Sequence, residues 1–337
     1  MKRASSLSLG LLAVTVFACG PKPKPVQLAP LPADQPVAEA PADPKKDPEP
    51  AKPPEPQGPV EVKIPAAKVT VKLVSPGKGK RTALHYTGKL GVKQQVELAM
   101  DFASTTSQGG QTQDQSVPTI VLVGDSETKS VDKDGKSDYA FTVTSTDARD
   151  VKGATGAPPA EKFKVALEAL MGLSIGGSVT ANGTLGEMTL RIEKPTELSV
   201  GALELIRLTM PTWPILPTEP VGVGAKWQST TVHKLADRLD VTQVTSYEVV
   251  AQKGNTWTIK GTTKVSGSDQ DVDGGRISGI SGSGTSTVAL ADGALYPTYK
   301  GSVETKFSAT EPKKDPKDPA TEKVEFKITV GGAVTPK

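Results

Sequence analysis

The fold of this chain is decided by segments such as residues 95–102, which read QVELAMDF. Apolar side chains stand at every second position from Val96 to Phe102, and polar or small residues stand between them. Successive side chains of a strand point to opposite faces, so this alternation predicts a strand with one buried and one solvated face. Similar alternation occurs in residues 139–143, 188–192, 247–249, 257–259, 295–307 and 324–330. About ten such segments predict a mainly β domain folded as an antiparallel meander.

Two hairpin turns and two segments that lack the strand alternation complete the predicted fold. Asp134-Gly135 and Asp292-Gly293 are typical hairpin turns. Residues 161–171 instead space apolar side chains as a helix does, between Pro158-Pro159 and Gly172. Residues 196–210 have a similar spacing and end at Pro211, so they predict a second helix. The apolar helix positions are Phe163, Ala166, Leu167, Leu170 and Met171 in the first, and Leu198, Ala202, Leu205, Ile206 and Thr209 in the second.

Two short helices cannot cover the apolar faces of about ten strands, so the sheet must curl on itself. It can close as a barrel, fold over as a sandwich, or form an open half-barrel whose middle is filled or hollow. The predicted fold class is therefore mainly β (α+β): a curved antiparallel meander sheet or half-barrel that wraps the two helices.

The first residues have the order of a secretory signal. Met1-Lys2-Arg3 is basic, and residues 7–17 are mostly apolar but too few to span a bilayer. Val16-Phe17-Ala18-Cys19 then resembles the lipobox of bacterial lipoproteins. The resemblance implies cleavage after Ala18 and a covalent lipid on Cys19, with residues 1–18 as the signal peptide. Two or three acyl chains anchor a protein stably to a membrane where one does not.

Composition divides the remaining chain into a linker and a domain. Cys19 is the one cysteine of the chain, so the exported part has no disulfide framework. Residues 19–60 carry a proline every few positions among Ala, Lys, Asp and Glu, which predicts a disordered, extended linker. A PxxP ligand or a cell-wall contact are alternatives for this segment. Residues 61–337 form the predicted β domain.

Charge and motifs argue against several functional classes. Losing Lys2 and Arg3 with the signal peptide lowers the formal net charge from +3 to about +1, without the clustered basic face of a nucleic-acid-binding protein. Only His85 and His233 are present, and neither has metal-ligand spacing. No nucleophile elbow, phosphate-binding loop or dinucleotide fingerprint occurs, so we predict that the chain is not an enzyme.

One motif suggests a metal and another suggests a lid. Asp269, Asp271 and Asp273 with Gly274 match the first half of a calcium loop, but Ile280 replaces the bidentate glutamate. The motif predicts either a weak calcium site or an acidic turn. Residues 210–227 alternate prolines with Trp213, Ile215 and Leu216, which are too apolar for a solvated loop. These three side chains are candidates for a lid over a cavity, for a membrane-dipping loop, or for a loop packed on the sheet rim.

The order of these features also resembles exported bacterial lipoproteins of unknown-function families. It is similar as well to the carriers and receptors of lipoprotein sorting and to mycobacterial lipid-transfer lipoproteins, across residues 68–334. The features that carry the resemblance are the Pro-rich segment, the Pro220–Trp227 strand start and the late Asp-Gly hairpin. The resemblance implies a curved sheet around an apolar cavity, and Gly20 after the cysteine favours the outer membrane.

We therefore predict a non-enzymatic, lipid-anchored envelope protein that binds a lipid or another apolar ligand in a half-barrel. The alternative is a scaffold or protein-interaction module with a solid core and no ligand. The sequence identifies no protein partner and predicts no nucleic-acid partner.

Overall fold

The described part of the computed structural model is predominantly β-strand. It comprises residues 58–151, 154, 157–196, 199–200, 202–203, 206–207, 214–235, 238–272, 275–291, 294–310 and 323–337. The strands are β1 (Val60–Ile64), β2 (Lys68–Ser75), β3 (Lys78–Thr82), β4 (Lys93–Gln108), β5 (Gln111–Ser116), β6 (Thr119–Val131), β7 (Ser137–Arg149), β8 (Ser174–Val179), β9 (Leu185–Ile192), β10 (Val221–Val223), β11 (Lys226–Leu235), β12 (Leu239–Lys253), β13 (Thr256–Ser266), β14 (Gln270–Val272), β15 (Gly275–Ala291), β16 (Thr298–Thr310) and β17 (Lys323–Pro336). One helix, α1 (Ala160–Glu168), is defined within the same residues.

Fifteen of these strands form one antiparallel sheet in the order β1-β9-β8-β7-β6-β4-β17-β16-β15-β13-β12-β11-β2, with β5 paired to β4 and β14 paired to β15. Most neighbours follow one another along the chain, as expected for the meander. The C-terminal strand β17 is an exception, because it lies between β4 and β16 and so joins two meanders. The large antiparallel sheet is confirmed.

The sheet is strongly bent. Strands β1 and β2 lie at opposite ends of the thirteen-strand path. If the sheet were flat, strand spacings of about 4.8 Å would separate these ends by roughly 58 Å. Only residues 65–67 join β1 to β2, and such a connection spans about 14 Å at most. The two ends of the sheet are therefore close together, although no ladder of hydrogen bonds closes it.

The predicted turn at Asp134-Gly135 connects β6 to β7. Gly135 has a φ of 81°, and its N–H donates to the carbonyl of Asp132 at 3.1 Å. The Asp132 carboxylate also accepts the backbone N–H groups of Asp134 and Lys136, each at 2.9 Å. The second predicted turn, Asp292-Gly293, lies outside the described residues, but β15 and β16 on either side of it pair as a hairpin.

Helix α1 is shorter than the predicted 161–171. It begins after Pro159, and the Asp150 carboxylate accepts the N–H of Ala160 at 2.9 Å. Leu167 and Leu170 are buried as predicted, but Met171 is 49% exposed, which corrects its assignment to the buried face. The reason is that the helix ends at Glu168, and the chain turns at Gly172 with a φ of 78°.

The second predicted helix, residues 196–210, falls partly outside the described residues and is not confirmed as an element. The prediction of a sheet that wraps two helices is likewise not confirmed. No helix in the described residues is long and apolar enough to cross a membrane.

Candidate functional site: a cavity at the seam

The interruption between β1 and β2 is the central feature of the site. Twelve antiparallel steps separate the two strands in the sheet, so both run in the same direction. The first half of this continuous segment pairs with β9 as far as Ile64 opposite Met188, and the second half pairs with β11 from Lys68 opposite Val232. Residues 65–67 pair with neither neighbour, and proline at position 65 has no N–H to donate. We call residues 65–67 and the unpaired ends beside them the seam.

A cavity of about 580 Å³ lies at the seam. This volume is within the range of small-molecule binding sites, which is about 300–1,000 Å³. Its apolar lining includes Ile64, Val69, Leu185, Met188, Ile215 and Leu235. Since all of these side chains except Ile215 come from strands at the two ends of the sheet, the bending of the sheet creates the cavity.

The cavity is lined by both faces of β11. Buried Ser229 and the half-buried Thr231 and His233 lie on the inner face, because they alternate in register with the fully buried Trp227. Val232 and Lys234 point to the opposite, exposed face, yet they line the same cavity. The cavity therefore extends from the interior, past the unpaired edge of β11, to the outer surface.

Polar side chains cluster on the inner wall of the cavity. Ser229 stands opposite Thr245 in the ladder, and Thr231 stands opposite Gln243. The Thr245 hydroxyl is 3.0 Å from that of Thr263 on the next strand. A row of hydroxyl and amide groups can orient a polar part of a ligand, while the apolar lining contacts the rest.

His233 is the one titratable group on this inner row of β11. Its Nδ1 atom is buried and has no hydrogen-bond partner. Burial lowers the pKa of His233 below its usual value. The imidazole is therefore neutral at neutral pH.

A second, smaller cavity of about 170 Å³ continues inward from the first. His233, Gln243, Thr245 and Tyr247 line both cavities, together with Leu235. Small residues in one row across the inner face leave space for this second cavity. They are Gly261, Ser286, Gly301 and Gly332, which occupy matching register positions on β13, β15, β16 and β17.

Tyrosine rings occupy the space beside two of these glycines. A Cβ at Gly261 would lie 3.1 Å from the ring of Tyr247, and a Cβ at Gly301 would strike the hydroxyl of Tyr299. Burial raises the pKa of Tyr299 to about 12, with a further contribution from nearby Tyr247. Both rings thus remain uncharged walls of the inner cavity over the physiological pH range.

A packed apolar cluster fills the interior beyond the inner cavity. It includes Leu84, Tyr86, Leu216, Val221, Ala225, Trp227, Tyr247, Val249, Trp257, Ile259, Val288 and Leu290. The rings of Trp227 and Tyr247 stack with centroids 5.3 Å apart. The sheet is therefore neither wholly solid nor wholly hollow, because one part is packed and the part at the seam is open.

Of the candidate lid residues, Leu216 belongs to this packed part. Leu216 is fully buried in the cluster, and its N–H donates to the carbonyl of Asn182 at 2.8 Å. Ile215 is also buried and lines the cavity, and its carbonyl accepts the indole N–H of Trp227 at 2.8 Å. Ile215 and Leu216 thus lie against the wall of the sheet in this structure, and their role as a lid stays a prediction. Trp213 lies outside the described residues.

Charged side chains surround the outer mouth. Lys68, Arg207, Lys234 and Asp240 line the cavity. The ammonium group of Lys234 is 2.7 Å from the Asp240 carboxylate, so these two charges offset each other. Lys68, which is exposed at the mouth, carries a further positive charge.

The calcium candidate is described only in part, because Asp273 lies outside the described residues. Arg276 forms ion pairs with Asp271 at 3.2 Å and with Asp269 at 3.8 Å. The Asp269 carboxylate also accepts the N–H of Gly279 at 3.2 Å. In the described part of the chain, no three His, Cys, Asp or Glu side chains are grouped as a metal site.

The remaining predicted residues lie away from the cavity or outside the described part. Ala18 and Cys19 belong to the latter, as does most of the predicted linker. His85 is exposed, and its Nδ1 lies 3.2 Å from the carbonyl of Ala83. Sequence reasoning did not select Gln243 or Thr245 as site residues. A signal for them was present in the sequence. Gln243 and Thr245 take positions of the alternating strand pattern that buried apolar side chains occupy elsewhere on the same face.

Comparisons with known proteins add little to this description. No family model matches the chain, and no curated protein matches it. The outer membrane protein OprG from Pseudomonas aeruginosa is 9% identical with a TM-score of 0.16, covering 74% of this chain and 98% of that one. Pseudomonas aeruginosa OccK11 (OpdR) is 7% identical with a TM-score of 0.17, covering 75% and 98%. Scores this low do not show a shared fold.

Proposed function

We propose that this chain is a lipid-anchored binding protein of the bacterial cell envelope, which holds an amphipathic ligand in the cavity at the seam. The observation that carries the proposal is the cavity itself, about 580 Å³ in volume, with apolar side chains and a row of polar groups. Ile64, Met188 and Leu235 would contact the apolar part of the ligand. Polar groups that line the cavity, such as Thr231, Gln243 or Lys68, would bind its polar part.

The proposed location depends on the N-terminal sequence. The apolar segment before Cys19 and the residues Val16–Cys19 support export and lipid attachment. A covalent anchor would keep the cavity close to a membrane, where amphipathic molecules are concentrated. We propose the outer membrane because Gly20 follows the cysteine.

Binding is proposed in preference to catalysis because of the surroundings of His233. A histidine that acts as a general base is commonly oriented by a third group through its second ring nitrogen. The Nδ1 atom of His233 has no such partner. Its neutral imidazole suits hydrogen bonding to a bound molecule.

The proposal is tested by filling the cavity. Thr231 lies on the inner face of β11 and lines the cavity, whereas the adjacent Thr230 lies on the outer face and does not. Thr231→Trp is expected to abolish the binding of an apolar fluorescent probe. Thr230→Trp is the matched control, because it adds the same bulk to the same strand and should leave binding unchanged.

Native mass spectrometry of the purified protein gives an independent test. A co-purified molecule that is present in the wild type and in Thr230→Trp, but absent from Thr231→Trp, would support the proposal. Equal probe binding by all three proteins would contradict it. Failure of the wild type to bind any probe or to retain any molecule would favour the alternative of a scaffold without a ligand.

A further inference from the structure

The seam connects the interior of the sheet to its outer surface, and this suggests how a ligand is bound. On β11, the inner residues Thr231 and His233 and the outer residues Val232 and Lys234 all line one cavity. In an intact ladder the backbone separates the two faces, so one cavity cannot contact both. The absence of pairing at residues 65–67 removes this barrier on one side of β11.

The chemistry of the lining changes along this path. At the seam the wall is apolar, with Ile64, Val69 and Leu235. On the outer side are Lys68, Lys234 and Asp240, all exposed, and Arg207 also lines the cavity. Because Asp240 offsets Lys234, the positive charge of Lys68 is the one that remains among these three residues.

We propose that the seam is a side opening for a single-chain anionic amphiphile, whose chain lies inside the sheet and whose head group remains outside beside Lys68. This inference rests on the proposed binding function and adds the route and the charge of the ligand. The carboxylate of a fatty acid and the phosphate of a lysophospholipid or alkyl phosphate share the required head-group chemistry.

The charge is tested with three ligands of equal chain length: dodecanoate, dodecyl phosphate and dodecanol. Both anions are expected to displace a bound fluorescent fatty acid about fivefold more effectively than the alcohol, since an exposed charge pair contributes at most about 1 kcal/mol. The ratio between the two anions identifies the preferred head group. Equal displacement by the alcohol would overturn the anionic assignment.

Lys68→Gln is expected to reduce the preference for the anions about threefold, because one exposed charge pair is lost. Lys72→Gln is the matched control, since Lys72 lies on the same exposed face of β2 but does not line the cavity. An unchanged preference in Lys68→Gln, or an equal loss in Lys72→Gln, would overturn the role of Lys68.

The route is tested by closing the seam with a disulfide. The β2–β11 register places Thr70 opposite Thr230 and Lys68 opposite Val232. Extending it by two residues places Ala66 opposite Lys234, and both line the cavity. Ala66→Cys with Lys234→Cys would lock the seam, whereas Thr70→Cys with Thr230→Cys would link strands that are already paired. Both pairs are made with Cys19→Ser, so that the introduced thiols are the only ones.

Stopped-flow binding of dansyl-undecanoate is then measured with each pair oxidised and reduced. Oxidation of the seam pair is expected to slow association at least tenfold, and reduction should restore the rate. The control pair should show no difference. Equal rates for the oxidised and reduced seam pair would overturn the side opening, although binding itself would stand. Failure of the reduced proteins to bind would refute the binding function as well.

A footprinting measurement tests the same route without a disulfide. Lys234→Cys lines the cavity, whereas Lys226→Cys lies on the same outer face of β11 away from it. Saturating dodecanoate is expected to slow maleimide modification at position 234 severalfold and to leave position 226 unchanged. Equal modification rates with and without dodecanoate at position 234 would overturn the placement of the head group.

Discussion

Alkaline pH is expected to unfold this protein through its tyrosines. The chain contains five tyrosines, and the pKa of each of them is raised, chiefly by burial. Burial raises the pKa because it removes water from the phenolate form, which is the charged form. The pKa values of Tyr296 and Tyr299 are about 12, compared with 10.0 for an exposed tyrosine.

The sign of the effect follows from proton linkage. Below pH 10 both the folded and the unfolded chain keep their phenolic protons, so these groups do not change the free energy of unfolding. Between about pH 10 and 12 only the unfolded chain loses them, and the folded state is progressively destabilised. Each of the two groups lowers the free energy of unfolding by about 3 kcal/mol over this interval, at about 1.4 kcal/mol per pKa unit. Their sum is comparable to the total stability of a typical domain, about 5–15 kcal/mol.

The assay is an ultraviolet absorbance titration of tyrosinate, run beside circular dichroism. In the folded protein no tyrosine should ionise near pH 10, and ionisation should coincide with loss of the β signal at higher pH. In denaturant all five should titrate together near pH 10. Native tyrosines that ionise near pH 10 while the β signal persists would refute the buried positions described above.

Tyr296→Phe provides a control with opposite effects at two pH values. Near neutral pH it should lower the free energy of unfolding by about 1 kcal/mol, since the Tyr296 hydroxyl is 2.6 Å from that of Ser126 and this hydrogen bond is lost. Near pH 12 the variant should be less destabilised by alkali than the wild type, because one titrating group has been removed.

Three further outcomes test other parts of the chain. Leu216→Ala should lower the free energy of unfolding by about 3 kcal/mol and Tm by roughly 6–12 °C, because Leu216 is fully buried, whereas exposed Val74→Ala should cost about 0.5 kcal/mol; a similar, small change in both would contradict the core position of Leu216 and favour the lid. Asp150→Ala should cost about 1 kcal/mol in urea denaturation, because it removes the acceptor of the Ala160 N–H, and Asp150→Asn should cost less. Cys19→Ser should lose incorporation of radiolabelled palmitate and remain outside the membrane fraction; retention of the label would contradict lipid attachment.

The period of the apolar residues was sufficient to predict the large antiparallel sheet. It depends only on which side of a strand each side chain points to, and that is a local property. The positions from Val96 to Phe102 and from Trp257 to Val265 show this alternation directly. The hairpin at Gly135 was predictable because it also depends on local sequence. Its short turn requires a residue with positive φ, and a glycine supplies it.

For other parts of the chain, the end of an element or the role of a residue depends on contacts with residues distant in sequence. The periodicity that predicts a helix through Met171 does not reveal that the helix stops at Glu168, which only the backbone path into β8 decides. Likewise, the apolar character of Leu216 is compatible with a lid, a membrane contact or a core. Its packing against residues distant in sequence, such as Trp257 and Leu290, placed it in the core.

By itself the sequence determined the β architecture and the alternation of buried and exposed faces, and it predicts the export signal and the lipid anchor. Only the tertiary structure decided that the sheet is interrupted at residues 65–67, and that the polar residues His233, Gln243 and Thr245 meet the apolar Ile64 and Met188 there. The physical reason is that bending brings together strands at opposite ends of the sheet. Local periodicity specifies the faces of each strand, but it contains no information on which edges meet when the sheet curls.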